Sequence, residues 1–165
     1  MLFGPDKKGD FQLSSELILG GSTYYIWGYY YEDSEYYRFP HEKDQVPDII
    51  NQEYRVIGRD GQRSEPGFKT PGESNGFALI GEFESLDEAR EFYRDYDRVE
   101  EGLQFEVDSD TVKLYQVWIQ KSSLGNYAKL LVTGIEYRQT EQGAPINEVQ
   151  VEYIYQSNGS RDFPN

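Results

Sequence analysis

The run Tyr24-Tyr25-Ile26-Trp27-Gly28-Tyr29-Tyr30-Tyr31, followed closely by Tyr36-Tyr37, constrains this chain more than any other feature. Successive side chains of an extended strand point to opposite faces. Tyr25, Trp27, Tyr29 and Tyr31 therefore share one face, and Tyr24, Ile26, Gly28 and Tyr30 share the other. A strand with rings on both faces has no bland solvent side. Either both faces are buried, or one of them is a surface that something else touches. Gly28 leaves a gap on the second face, where a neighbouring ring or a ligand could sit.

The rest of the chain suits a β-rich domain around such a strand. Its 165 residues are the size of one ordinary domain, read as residues 1–165 with a flexible segment over 1–10 and a tail over 157–165. Hydrophobic residues make up 37% and aromatic residues 16%, so the core is built from few, large side chains. Phe11–Leu19 alternates imperfectly and ends at Gly20-Gly21, which predicts a strand and a turn. Thr23–Glu32 is the aromatic strand, and Asp33-Ser34-Glu35 breaks it before Tyr36–Phe39, a hairpin closed by Pro40. Gln52–Gly58 reads as a strand and Arg59-Asp60-Gly61-Gln62 as a tight turn, with 63–76 a Pro- and Gly-rich surface loop. Phe77–Phe83 is apolar enough for a central strand.

One helix is predicted, over about residues 86–97. Ser85 is its N-cap and Glu88 stands three positions on, the spacing of a capping box. Leu86, Ala89, Phe92, Tyr93 and Tyr96 then form an apolar stripe. Beyond it, 112–120, 127–137 and a strand through Val149, Val151, Tyr153 and Tyr155 form a three-stranded antiparallel meander, with Gly134 marking a bulge. The fold class is α+β, mainly antiparallel sheet with that helix packed on it.

Composition excludes several functions. Cysteine is absent, so there are no disulfides, thiol nucleophiles or thiolate metal sites. A net charge of −14 argues against direct nucleic-acid binding through phosphates and against an anionic membrane surface. No apolar run is long enough to span a membrane. His41 is the only histidine, which removes bis-histidine haem and the usual metal triads; beside Glu42 and Asp44 in a polar loop it reads as an ordinary exposed residue. The stretch Pro71–Gly76 does not fit a nucleophile elbow around Ser74, and phosphate-cradling motifs are missing, so no cofactor is expected.

Carboxylate pairs are plentiful: Asp33/Glu35, Glu82/Glu84 and Asp108/Asp110 each put two acids on one face of an extended chain. Such a pair could serve glycoside hydrolysis or hold calcium, yet neither Asp108-Ser109-Asp110 nor 158–162 has the full spacing of a calcium loop, and no metal site is expected. The N-terminal Met1–Lys8 shows no apolar signal region. The expected setting is extracytoplasmic with the signal removed, and cytoplasmic in the alternative.

Tyr127-Ala128-Lys129-Leu130-Leu131-Val132 and Val151-Glu152-Tyr153-Ile154-Tyr155-Gln156-Ser157-Asn158-Gly159-Ser160, with Gly76–Arg90, resemble β-rich modules of bacterial envelope proteins. The latter two segments are similar to strands of the HmuY-type secreted haem-binding family. Haem ligation there rests on histidines, which this chain does not match, so the resemblance implies a β architecture and an envelope setting without haem. The functional expectation is a non-enzymatic binding or structural module. Its contact candidates are Tyr25, Trp27, Tyr29 and Tyr31 on one face and Tyr24 and Tyr30 on the other, for a glycan, a peptide or a protein. An acidic decoy of a basic nucleic-acid-handling protein is the alternative, and a carboxylate-pair hydrolase a third.

Overall fold

Alternating apolar residues commit much of the chain to paired strands. The computed structural model describes residues 7–40, 45–72 and 76–163. The strands in chain order are Lys7–Ser14 (β1), Ile18–Gly20 (β2), Thr23–Tyr30 (β3), Glu35–Phe39 (β4), Ile50–Asn51 (β5), Tyr54–Gly58 (β6) and Gly61–Glu65 (β7). Gly67–Lys69 (β8) and Gly76–Gly81 (β9) precede the helix Leu86–Asp95 (α1). Asp108–Thr111 (β10), Val117–Lys121 (β11), Tyr127–Gln139 (β12) and Pro145–Gln156 (β13) complete the order. The fold is mostly antiparallel sheet with one principal helix, the α+β class.

The main sheet has five strands in the order β1-β13-β12-β11-β9, with β11-β12-β13 as the expected meander. Pairing of β12 with β13 slips between Val132 and Gly134, the bulge that the glycine predicts. One face of this sheet carries Phe11, Leu13, Trp118, Leu130, Val149, Val151, Tyr153 and Tyr155, and the smaller strands close over it with Tyr29, Tyr31, Ile49 and Phe68. The opposite face carries Val117 and Leu131, which meet Ala89 and Tyr93 of α1. At about 25 cal/mol per Å² of apolar area, these two buried layers supply the main stabilisation.

The helix begins where its cap dictates: the Glu88 N–H donates to Ser85 Oγ at 3.2 Å, and Asp87 and Glu88 lie in the first turn. Its end is served from the sheet. Lys129 is buried, and its Nζ donates to the carbonyls of Tyr93 (2.6 Å) and Tyr96 (2.7 Å), which have no partner within the helix. Desolvation lowers this ammonium to about 8. Among the described residues no helix is long and apolar enough to cross a membrane.

Several expected boundaries change. Residues 7–10, assigned to a flexible N-terminal segment, are paired strand, from Lys7 opposite Tyr155 to Asp10 opposite Glu152. The expected tail is packed: Phe163 is buried, and its N–H donates to the Asp97 carbonyl at 2.7 Å. The 63–76 loop contains β7 end and β8, with Phe68 fully buried against Phe77 and Trp118. Phe77–Phe83 does not become a central strand; β9 is the last strand of its sheet.

Candidate functional site

The aromatic strand divides along its length rather than between its faces. On the face of Tyr25, Trp27, Tyr29 and Tyr31, the inner two residues are core. Tyr29 is 5% exposed and stacks on Phe11 at 4.6 Å between centroids, and Tyr31 is 0% exposed and stacks on Tyr155 at 5.1 Å. Their polar ends are satisfied inside: Tyr29 Oη pairs with Tyr153 Oη at 2.8 Å, and Tyr31 Oη donates to Gln120 Oε1 at 2.5 Å. Desolvation raises both hydroxyls, so they stay protonated. As contact residues Tyr29 and Tyr31 are corrected to core, because Phe11 of β1 and Tyr153 and Tyr155 of β13 cover the end of β3 and the Tyr31 that follows it.

The outer half of the same face is open. Tyr25 is half-buried and Trp27 is 37% exposed, and their rings meet edge to face at 5.7 Å. Arg38 stands opposite Trp27 in the ladder, with its guanidinium 4.5 Å from the Tyr25 ring centre and 5.2 Å from that of Trp27. Both distances lie within cation–π range. Tyr36, 44% exposed, lies alongside from β4.

Trp27 and Tyr36 form one wall of a groove of about 530 Å³ whose other lining residues are Gln12, Ser14 and Glu148. These polar groups are held before any ligand arrives. The Gln12 N–H donates to Tyr36 Oη at 2.9 Å, and Gln12 Nε2 donates to Glu148 Oε2 at 2.6 Å. Arg138 Nη2 holds Glu148 Oε1 at 2.6 Å and Glu16 Oε2 at 3.2 Å. Sequence reading noted Tyr36 but missed its role, and it missed Gln12 and Glu148, which reach the site from strands remote in sequence.

The second face of β3 also differs from expectation. The gap at Gly28 is filled by the 47–50 segment: an added Cβ would lie 2.6 Å from Pro47 Cβ and 2.7 Å from the Ile49 carbonyl. The Tyr29 N–H donates to that carbonyl at 3.0 Å, so glycine is needed for strand docking and not for a ligand. Tyr30 is half-buried against Tyr37, with ring centres 5.7 Å apart. Tyr24, by contrast, is 60% exposed at the mouth of a cavity of about 680 Å³.

Asp48 is a buried carboxylate that the sequence did not single out. Its Oδ2 accepts the Tyr31 N–H at 2.9 Å, and its carbonyl accepts Gln120 Nε2 at 2.7 Å. Burial raises it to about 7, against the opposing effect of the Tyr31 hydrogen bond and with a further push from Glu32. The predicted carboxylate pairs, Asp33/Glu35, Glu82/Glu84 and Asp108/Asp110, are all exposed. His41, with Glu42 and Asp44, and Ser74 lie outside the described residues, among which no cluster could hold a metal ion.

The site thus sets exposed rings beside polar side chains that are hydrogen-bonded to one another. No protein-family model matches the chain, and no curated protein matches its sequence.

Proposed function

We propose that the protein is a non-enzymatic binding module of the bacterial envelope whose contact face is the outer half of the aromatic strand, and that it takes an oligosaccharide. The observation that carries this reading is the Trp27–Tyr36 groove with its ordered Gln12–Glu148 pair. The C–H face of a sugar ring is apolar and its rim is hydroxylated, which suits an aromatic wall beside a fixed amide and carboxylate. Strand addition by a peptide suits this groove less well, because the Gln12 N–H on the β1 edge is already bonded to Tyr36. The acidic-decoy and hydrolase alternatives draw less support: Glu148, Glu16, Glu53 and Glu152 are engaged by Arg138, Arg55 and Arg90.

The two tryptophans make the test direct, since Trp118 is buried and Trp27 is exposed. Titration with a panel of neutral oligosaccharides should protect Trp27 from acrylamide quenching, with little dependence on salt. The Trp27→Ala variant should lose that binding and keep its fold. Unchanged quenching at millimolar saccharide across the panel sinks the reading.

A further inference from the structure

The opposite face of β3 borders a cavity of about 680 Å³, and nothing in the saccharide reading uses it. Its apolar lining comes from Leu17, Tyr24, Ile26, Phe39, Ile50 and Ile146. Ile26, Ile50 and Ile146 are buried in its floor, whereas Leu17 and Tyr24 stand exposed at its mouth. Leu19, also exposed, pairs with Tyr24 in the ladder and extends that apolar rim. Exposed large apolar side chains gathered around one opening cost solvation that a ligand would recover.

The polar groups in the floor offer a ligand little, because they bond to one another. Asn51 Nδ2 donates to Asn147 Oδ1 at 2.6 Å and to the Leu13 carbonyl at 3.3 Å. Asn51 Oδ1 accepts the N–H groups of Glu53 (3.2 Å) and Gly67 (3.3 Å). Ser15 Oγ donates to Glu53 Oε2 at 2.7 Å and accepts the Asn147 N–H at 3.0 Å. With these floor groups already paired, what the floor offers an occupant is the apolar surface of Ile26, Ile50 and Ile146.

Charge at the rim chooses the other end of that occupant. Both lining carboxylates already bond an arginine: Glu53 meets Arg55 at 2.7 Å, and Glu16 meets Arg138, which it shares with Glu148, at 3.2 Å. The lining cation with the loosest partner is Lys69, whose Nζ lies 4.0 Å from Asp108 Oδ1. A carboxylate arriving at the rim meets a cation not yet closely paired, while a cationic head meets carboxylates already engaged by arginines. We infer that this cavity binds a medium-chain carboxylate amphiphile, with the acyl chain against Ile26, Ile50 and Ile146 and the carboxylate at Lys69.

Isothermal titration with dodecanoate below its micelle-forming concentration tests this, with dodecyltrimethylammonium and dodecanol as head-group controls. Dodecanoate should bind saturably at one site and more tightly than either control. Leu17→Asp and Tyr24→Asp should each weaken it by at least about tenfold, since each removes burial of a large apolar group. Both residues are exposed, so the variants should keep the wild-type circular dichroism. Lys69→Gln should weaken dodecanoate roughly threefold and leave dodecanol unchanged. Absence of saturable binding, or binding indifferent to Leu17→Asp and Tyr24→Asp, overturns the site; equal affinity for all three head groups overturns its carboxylate preference. Trp27→Ala should leave dodecanoate binding intact, which separates this result from that of the saccharide groove.

Discussion

The inner and outer halves of the aromatic run, β3 with the Tyr31 that follows it, carry the same kind of side chain on the same face and end in opposite environments. Tyr29 and Tyr31 sit beneath Phe11, Tyr153 and Tyr155, whereas Tyr25 and Trp27 meet only each other and Arg38 among their described ring contacts. Alternation decides the face to which a side chain points. What covers that face is decided by other strands, here β1 and β13. The comparison can be broken or sharpened by substitutions along this one strand.

The largest effect should follow Tyr31→Ala. That side chain is fully buried, and its loss leaves a cavity and strips Gln120 of a hydrogen-bond partner. A stability loss of about 3–5 kcal/mol is expected in urea unfolding. A loss below about 1 kcal/mol would mean the inner half is not core.

The segment covering the other face of β3 should respond to pH through Asp48. Burial raises its carboxyl from 3.8 to about 7 in the folded protein. A folded value above the unfolded one means the native state holds the proton more tightly. The stability gained is fully present below about 4 and is lost as pH rises through about 7. The slope reaches at most about 1.4 kcal/mol per pH unit. Asp48→Asn keeps an acceptor for the Tyr31 N–H and removes the titration. Urea midpoints of wild type and variant should therefore diverge across that window, and parallel profiles would contradict the assignment.

Gly28→Ala probes the same packing sterically. Its Cβ would meet Pro47 and Ile50 side-chain atoms at 2.6 and 2.7 Å, in addition to the Ile49 carbonyl. Overpacking of this kind should cost about 1–3 kcal/mol in the same unfolding measurement. A neutral result would show that the 47–50 segment yields easily.

Legibility in the sequence followed how local each signal was. The helix start was readable because Ser85 and Glu88 interact within one turn, and the meander because Val149, Val151, Tyr153 and Tyr155 alternate without a break. Phe68 was missed because Pro66, Gly67 and Pro71 around it give a loop signature, while burial against Trp118 is set by β11. The rings of the candidate site were visible as a run. Its polar half was not, since Gln12 and Glu148 meet only through pairing of β1 with β13 and the wrap of β4 onto that edge. Lys129 illustrates the same limit: a lysine in mid-strand reads as solvent-facing until a helix end is placed over it.

The smallest effect on stability should come from Trp27→Ala, and it is the most informative about function. Trp27 projects from the same face as Tyr31, yet it is 37% exposed and its main ring contact is Tyr25 at 5.7 Å. Removing an exposed ring leaves no sealed cavity, so the unfolding free energy should change by no more than about 0.5 kcal/mol. Arg38 would keep Tyr25 as its partner, 4.5 Å from the ring centre. A chain that tolerates this change while losing saccharide binding in a calorimetric titration would have placed a large, costly side chain at the surface for contact rather than for folding. A loss comparable to that of Tyr31→Ala would join the two halves of the strand into one core and remove the basis for the saccharide groove.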